Sequence, residues 1–311
     1  MTATRERAVG CLLGLACGDA LGRPVGGESS AAVARRHGRV TEMRGDGARS
    51  RPAGSVTDDA ALALRTARSL VDCGGFDGAD LAGRVRDWVE GGPRAVDATT
   101  AAAVDHLSDG VSWKAAGEAV RDRRSAAQRA SNGSLARCVP FALTHRSEPE
   151  RLAAVTDAAT AITHADPRCR AAGVALARLL AALLDGATGA AARQASLDLA
   201  AARDAPPAVR ETLAVATETD LATLDTAGVV GTLETALHDG LTADSAADAV
   251  ETAVNRGGDA DTVGAVTGAV AGARLGADAL PDRWFEPVDV TDEFRSLAPE
   301  LLALDATSPD C

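Results

Sequence analysis

The chain contains no tyrosine, a single lysine (Lys114) and only 2% aromatic residues over 311 positions. The scarcity of rings excludes a core built on aromatic clusters. The interior must come from Ala, Leu and Val, and small side chains favour helices that approach one another closely. With 32 basic against 44 acidic residues, the net charge is −12 and the pI about 4.9. That balance argues against a nucleic-acid or anionic-membrane surface, because both partners demand local excess positive charge. The basic complement is almost all Arg, and an acidic, Ala- and Asp-rich surface suggests adaptation to high salt, an expectation that stability with and without molar salt would check. No CxxC pair and no Cys–His spacing suited to zinc occurs among Cys11, Cys17, Cys73, Cys138, Cys169 and Cys311. They are expected to be reduced, mostly buried small residues of a cytoplasmic protein. Arg5 and Arg7 precede an apolar run from Ala8 to Cys17. That run is short, interrupted by glycine and without a convincing cleavage site, so it is not read as a leader. No stretch is expected to be long and apolar enough to span a bilayer.

What is present is helical periodicity. Ala, Leu and Val recur at three- and four-residue spacing over roughly 4–17, 58–72, 78–90, 95–107, 112–122, 134–145, 148–163, 168–184, 187–203, 206–217, 227–239, 244–255 and 261–275. Gly74-Gly75, Gly91-Gly92-Pro93, Pro206-Pro207 and Gly257-Gly258 punctuate them. The Gly-, Arg- and Ser-rich stretch 23–56 is the longest segment read as non-helical, and a loop of that length inside a compact domain is often a binding loop. No linker or solenoid period divides the chain, so 1–311 reads as one all-α domain.

Gly10, Gly14, Gly18 and Gly22 recur every four residues, and so do Gly264, Gly268, Gly272 and Gly276. On a helix each set forms a bare, slowly drifting stripe on one face. Each Gly costs about 1 kcal/mol relative to Ala in a helix interior. The matching periods predict that the stripes lie in the crowded centre against each other, which would bring Asp19 near residues 259–262.

Two clusters carry the chemistry: Thr57-Asp58-Asp59 and Asp259-Ala260-Asp261-Thr262. Each offers two Asp and one Thr, all hard oxygen ligands, and each opens a helix. A Thr or Asp at a helix start can serve only as a cap. Capping needs one such oxygen rather than three, and Gly257-Gly258 lets the backbone turn tightly before the second cluster. Four carboxylates brought together would repel strongly unless a cation sat among them, and four charges balance two Mg²⁺ or Mn²⁺ ions.

Gly18-Asp19-Ala20-Leu21-Gly22, Thr57-Asp58-Asp59, Asn132-Gly133-Ser134-Leu135-Ala136-Arg137, Thr163-His164 and Gly257-Gly258-Asp259-Ala260-Asp261-Thr262-Val263-Gly264 together resemble the ADP-ribosylglycohydrolase family, whose nitrogenase-reactivating members are well known. The order and spacing agree from about residue 5 to 285. The resemblance implies a compact multi-helix orthogonal bundle with a dinuclear Mg²⁺ or Mn²⁺ centre in a cleft. It implies hydrolysis of the bond between ribose C1″ of ADP-ribose and an acceptor, reversing mono-ADP-ribosylation. By the same resemblance Thr57, Asp58, Asp59, Asp259, Asp261 and Thr262 would be metal ligands. Asp259 or Asp261 would orient water or take its proton. Asp19, Asn132, Gly133, Ser134 and His164 would contact substrate or support the centre. Their bland readings are a buried cap for Asp19, an N-cap and turn for Asn132-Gly133-Ser134, and a helix-end contact for His164.

The chain departs from the family at Gly26, where members commonly carry a Glu four residues after the GDxxG motif. Glu28 is the candidate replacement in catalysis. Two other functions stay open: a two-metal phosphohydrolase acting on a nucleotide or sugar phosphate, and a non-catalytic ADP-ribose binder like the family's crystallin members. Expected partners are an ADP-ribosylated protein or small acceptor, with the chain acting as a monomer.

Overall fold

The computed structural model describes residues 2–45, 51–93, 95–126, 128–218 and 228–306. Fifteen α-helices account for the described fold: α1 Ala3–Gly22, α2 Ser30–His37, α3 Asp58–Cys73, α4 Gly78–Glu90, α5 Ala98–Ser108, α6 Trp113–Arg123, α7 Phe141–Thr144, α8 Pro149–Ala161, α9 Pro167–Leu184, α10 Gly189–Ala202, α11 Pro207–Val215, α12 Val229–Thr242, α13 Ala246–Asn255, α14 Ala260–Leu275 and α15 Thr291–Ala306. Among the described residues the only β-pairings are two isolated bridges, Ser29 with Gly257 and Ser131 with Gly228. The all-α expectation holds.

The centre is a pair of antiparallel helices. Gly10 faces Gly272 and Gly276, Gly14 faces Gly268, Gly18 faces Gly264 and Gly22 faces Ala260. A Cβ placed at Gly14 would lie 2.1 Å from the Gly268 carbonyl oxygen, and one at Gly18 would lie 2.0 Å from that of Gly264. At the Gly10, Gly14 and Gly18 levels backbone therefore packs on backbone, at a separation only glycine permits on both sides. The two stripes predicted from their period do meet. Because the helices run in opposite directions, the C-terminal end of α1, with Asp19, is brought to the N-terminal end of α14, with Asp259 and Asp261.

Helices α12 and α13 cover α14, and α15 lies against α1. Every residue of α1 from Ala8 to Gly22 is buried. Residues Ala3–Val25 do have the length and hydropathy to cross a bilayer, contrary to the expectation, but 94% of that window is buried inside the protein. A helix apolar on all sides is one surrounded by other helices, and here those neighbours are α14 and α15.

Local chemistry marks the helix starts. Side chains of Thr57, Asp77, Asp97, Asp166, Thr188 and Ser245 accept N-terminal N–H groups, and Pro149, Pro167 and Pro207 occupy first-turn positions. Three expectations need correction. The helix read over 134–145 is a 3-10 turn, Ala136–Cys138, followed by the single turn α7, because Pro140 supplies no N–H to continue a helix. Helix α2 lies inside the stretch read as non-helical; it buries only Val33, so no periodic apolar stripe announced it. Helix α15 lies beyond the last expected helix and has Pro299 in its interior. Cys11, Cys17, Cys138 and Cys169 are buried free thiols and Cys73 is an exposed one; Cys311 lies outside the described residues.

Candidate active site

The α1–α14 pairing and the start of α3 build one cleft. Buried Asp19 accepts the Thr57 N–H at 3.0 and 3.1 Å and the Ala60 N–H at 2.9 Å, anchoring the first turn of α3 to α1. Thr57 is the N-cap, its Oγ1 accepting from the Asp59 N–H at 3.2 Å. Across the join, Thr262 Oγ1 donates to Asp59 Oδ2 at 2.8 Å. The segment after α1 is held to the turn before α14 by two backbone bonds of 2.7 Å, Gly27 N–H to Gly258 O and Gly258 N–H to Glu28 O. Gly257 and Gly258 have φ of +71° and +66°, conformations that only glycine adopts without strain.

The resulting cleft of about 210 Å³ is lined by Asp58, Asp59, Ala95, Val96, Asp97, Asn132, Gly133, Asp259, Asp261 and Thr262. Both carboxylate clusters predicted from sequence are therefore brought together. Asp259 occupies the N-cap position of α14 yet makes no side-chain capping bond; it accepts instead from Asn132 Nδ2 at 2.7 Å. Asn132 Nδ2 also donates to Thr232 Oγ1 at 2.9 Å. At Gly133 a Cβ would come within 2.7 Å of Asp97 Cβ, so glycine lets this turn close on the cleft.

Other predicted residues lie elsewhere. Asp19 is fully buried; it supports α3 from behind and presents no surface to a substrate. Ser134 and His164 are also fully buried, and neither lines the cleft. Thr57 serves α3 as a cap and is not a lining residue either. Glu28 pairs with Arg36 at 3.0 Å and His37 at 3.6 Å, on the α2 side and not on the cleft wall. The backbone of Gly26 does approach the site: a Cβ there would stand 3.7 Å from Asp261 Oδ1.

Sequence reading missed Asp97. Its Oδ1 accepts the N–H groups of Thr99 and Thr100, both at 2.9 Å, and lies 3.1 Å from His164 Nε2. Its own N–H donates to Asp58 Oδ2 at 2.7 Å. In the sequence it is an ordinary N-cap before Ala98-Thr99-Thr100, and only the tertiary fold turns it toward the clusters.

The electrostatics divide these carboxyls into two kinds. Burial raises Asp19 to about 7. Burial followed by repulsion from Asp58, Asp19, Asp261 and Asp259 raises Asp59 well above its ordinary value. Asp261 is raised likewise, by burial and then by Asp259 and Asp19, and burial raises Asp58 too. At Asp97 burial is outweighed by the hydrogen bond from His164 and the N–H groups of Thr100 and Thr99, which hold it well below the usual carboxylate range. Burial pushes His164 below the ordinary imidazole value.

Crowded carboxyls that resist ionisation are the donor set expected where a hard cation belongs. Among the described residues no three His, Cys, Asp or Glu side chains enclose a single point as they stand. Asp59, Asp58 and Asp259 are turned instead toward Thr262, the Asp97 N–H and Asn132.

The chain is similar to known proteins along nearly its whole length. A model of the ADP-ribosylglycohydrolase family matches residues 1–310. The chain is 32% identical over 302 residues to the ADP-ribosyl-[dinitrogen reductase] glycohydrolase of Rhodospirillum rubrum, covering 96% of each chain. It is 30% identical over 306 residues to the ADP-ribosylarginine hydrolase Tri1 of Pseudomonas putida (strain GB-1), covering 95% of this chain and 78% of that one. A solved structure described as an ADP-ribosylglycohydrolase-related protein complex superposes with a TM-score of 0.81 at 32% identity, over 98% of this chain and 100% of that one. The chain belongs to the ADP-ribosylglycohydrolase family, enzymes that hydrolyse ADP-ribose linkages.

Proposed function

We propose that the chain is a divalent-metal-dependent hydrolase that releases ADP-ribose from a mono-ADP-ribosylated acceptor by cleaving the bond at ribose C1″. The observation that carries this reading is the convergence of Asp58, Asp59, Asp259 and Asp261 on one cleft. Among the described residues five Asp and no Lys or Arg line that cleft. A substrate bearing a diphosphate would be repelled from it without compensating cations.

Asp58, Asp59, Asp259, Asp261 and Thr262 would hold two Mg²⁺ or Mn²⁺ ions, with Thr57 adjacent at the α3 cap. When bound, the ions supply Lewis acidity, gripping ribose hydroxyls and making water nucleophilic near neutral pH. Asn132 fixes the Asp259 carboxylate through its amide. The C1″–acceptor bond breaks with its electron pair leaving on the acceptor atom, and water oxygen bonds to C1″. If Asp259 and Asp261 are occupied as ligands, the carboxylate left to take the water proton is Asp97, which lies on the same wall; held so far down it is a weak base and would act only on water already acidified by bound ions. The proton ends on the departing acceptor. Asp259 or Asp261 remains the alternative if only one ion binds.

An ADP-ribosylated arginine side chain is the first acceptor to test, since Tri1 is named for that linkage. Assays of ADP-ribose release with Mg²⁺ or Mn²⁺, using Asp58→Ala and Asp261→Ala as controls, decide the matter. Inorganic phosphate as the product would instead establish a phosphohydrolase. Tight ADP-ribose binding without release from any modified acceptor would establish the non-catalytic reading, which the absence of a carboxylate at Gly26 supports. Action as a single-domain, cytoplasmic monomer in a high-salt setting belongs to this proposal, supported by the buried thiols and the net charge of −12.

A further inference from the structure

Behind Asp97 runs a chain of polar groups that includes no cleft residue. Buried Arg137 donates from Nη2 to Thr163 Oγ1. Thr163 Oγ1 lies 2.7 Å from His164 Nδ1. His164 Nε2 lies 3.1 Å from Asp97 Oδ1 and 3.0 Å from Ser131 Oγ. Thr163 and His164 are both fully buried, so water cannot rearrange these bonds.

The donor and acceptor inventory leaves one consistent proton arrangement. A guanidinium only donates. Thr163 Oγ1 therefore accepts from Arg137 with one of its two lone pairs, and its hydroxyl proton is free to point to His164 Nδ1. On the other side of the ring the Asp97 carboxylate only accepts, so Nε2 carries the proton and donates to it, which in the neutral ring leaves Nδ1 to accept from Thr163. A second chain agrees from the other side: Arg124 Nη1 donates to Thr99 Oγ1 at 2.9 Å, and Thr99 Oγ1 lies 2.7 Å from Ser131 Oγ. Ser131 Oγ can accept from both Thr99 and His164 Nε2, which is compatible with that arrangement. The opposite tautomer would set a bare Nε2 lone pair against the Asp97 carboxylate.

We propose that Arg137 and Thr163 are positioning residues that lock His164 in its Nε2–H tautomer, and that this tautomer fixes the Asp97 carboxylate in the active-site cleft. Asp97 in turn carries the constraint to Asp58 through its backbone N–H. Arg137, in the 3-10 turn Ala136–Cys138, is not among the cleft-lining residues and is linked to Asp97 by hydrogen bonds through Thr163 and His164. The activity arm of the proposal rests on the hydrolase reading; the tautomer arm does not.

The test is a long-range ¹H–¹⁵N spectrum of histidine-labelled full-length protein, with His164→Gln identifying the His164 signals among those of five histidines. The native protein is expected to show a protonated Nε2 and an unprotonated Nδ1. Thr163→Val removes the hydroxyl proton at constant shape. It should shift His164 toward the other tautomer and lower kcat at least about 10-fold at nearly constant KM, while Thr163→Ser restores both. A native spectrum with the proton on Nδ1 overturns the proposal whether or not Thr163→Val folds. So does a Thr163→Val protein whose tautomer or kcat is unchanged. Native protein that shows the Nε2–H tautomer but releases no ADP-ribose rejects the hydrolase reading and leaves the tautomer lock standing.

Discussion

Gly14 and Gly268 face each other across the α1–α14 interface so closely that a Cβ on Gly14 would stand 2.1 Å from the Gly268 carbonyl oxygen. The obstacle is backbone on a buried helix, which cannot swing aside as a long side chain can. Gly14→Ala is expected to destabilise by about 3 kcal/mol or more and, by prising α1 from α14, to weaken divalent-ion binding as well. Gly83, inside α4 with nothing within 4 Å of its added Cβ, is the control. Gly83→Ala should be neutral or stabilising by up to about 1 kcal/mol. Denaturant unfolding of both variants measures the contrast.

Much of the fold and of the site was legible for a physical reason. Glycine at a four-residue step has one packing consequence, and two such stripes have one natural partner each, so the central helix pair and its register could be read before any coordinates. The clusters at 57–59 and 259–262 were legible because three hard oxygens at a helix start exceed what capping uses. Asp97 was hidden, since a single Asp before Ala98-Thr99-Thr100 looks like any N-cap, and the cleft wall it joins exists only once the start of α5 meets the start of α3, through the Asp97 N–H on Asp58. The burial of Ser134 and His164 was hidden for a related reason. A short polar motif does not state which of its side chains faces the ligand and which faces the interior.

Asp97→Asn keeps the shape of the side chain and its capping of α5 while removing the charge. It is expected to lower kcat by about 10²- to 10⁴-fold, the range of a lost general base, with divalent-ion affinity reduced far less than in Asp58→Ala. Steady-state kinetics set beside calorimetric titration with Mn²⁺ separate the two effects. Equal loss of ion binding in both variants would make Asp97 a ligand and not a base.

Glu28 and Gly26 make a second pair of opposites. The Glu28 carboxylate is held by Arg36 and His37, so Glu28→Gln is expected to leave kcat unchanged and to alter only the local tie to α2. Gly26 has φ −55° and ψ 130°, a conformation open to any residue. Its added Cβ meets nothing closer than 3.5 Å. Gly26→Glu should therefore fold normally and, by placing another carboxylate beside Asp261, tighten divalent-ion binding in the same calorimetric titration.

The raised carboxyls make stability depend on pH in an unusual direction for acidic groups. Asp19 at about 7, and Asp58, Asp59 and Asp261 displaced upward, bind more protons in the folded protein than in the unfolded chain, whose carboxyls titrate near about 4. Their contribution is most favourable when they are protonated, and it declines as pH rises through the window from about 4 to about 7 and above. Asp97 has the opposite sign, because a depressed carboxyl loses its contribution only as pH falls below about 4. It does not affect the neutral range. Metal-free protein is therefore expected to melt lower at about pH 8 than at about pH 5.5. Saturating Mg²⁺ or Mn²⁺ should reverse the order, since a ligand at 100 times its Kd adds about 2.7 kcal/mol and binds best where its ligands are ionised. Thermal melts at the two pH values, with and without the ion, supply the four numbers. An ion-induced rise in Tm that is as large at the lower pH as at the higher would mean that these carboxyls do not bind it. Asp59→Asn should reduce the pH dependence, leaving the share of Asp19, Asp58 and Asp261, and weaken the response to the ion.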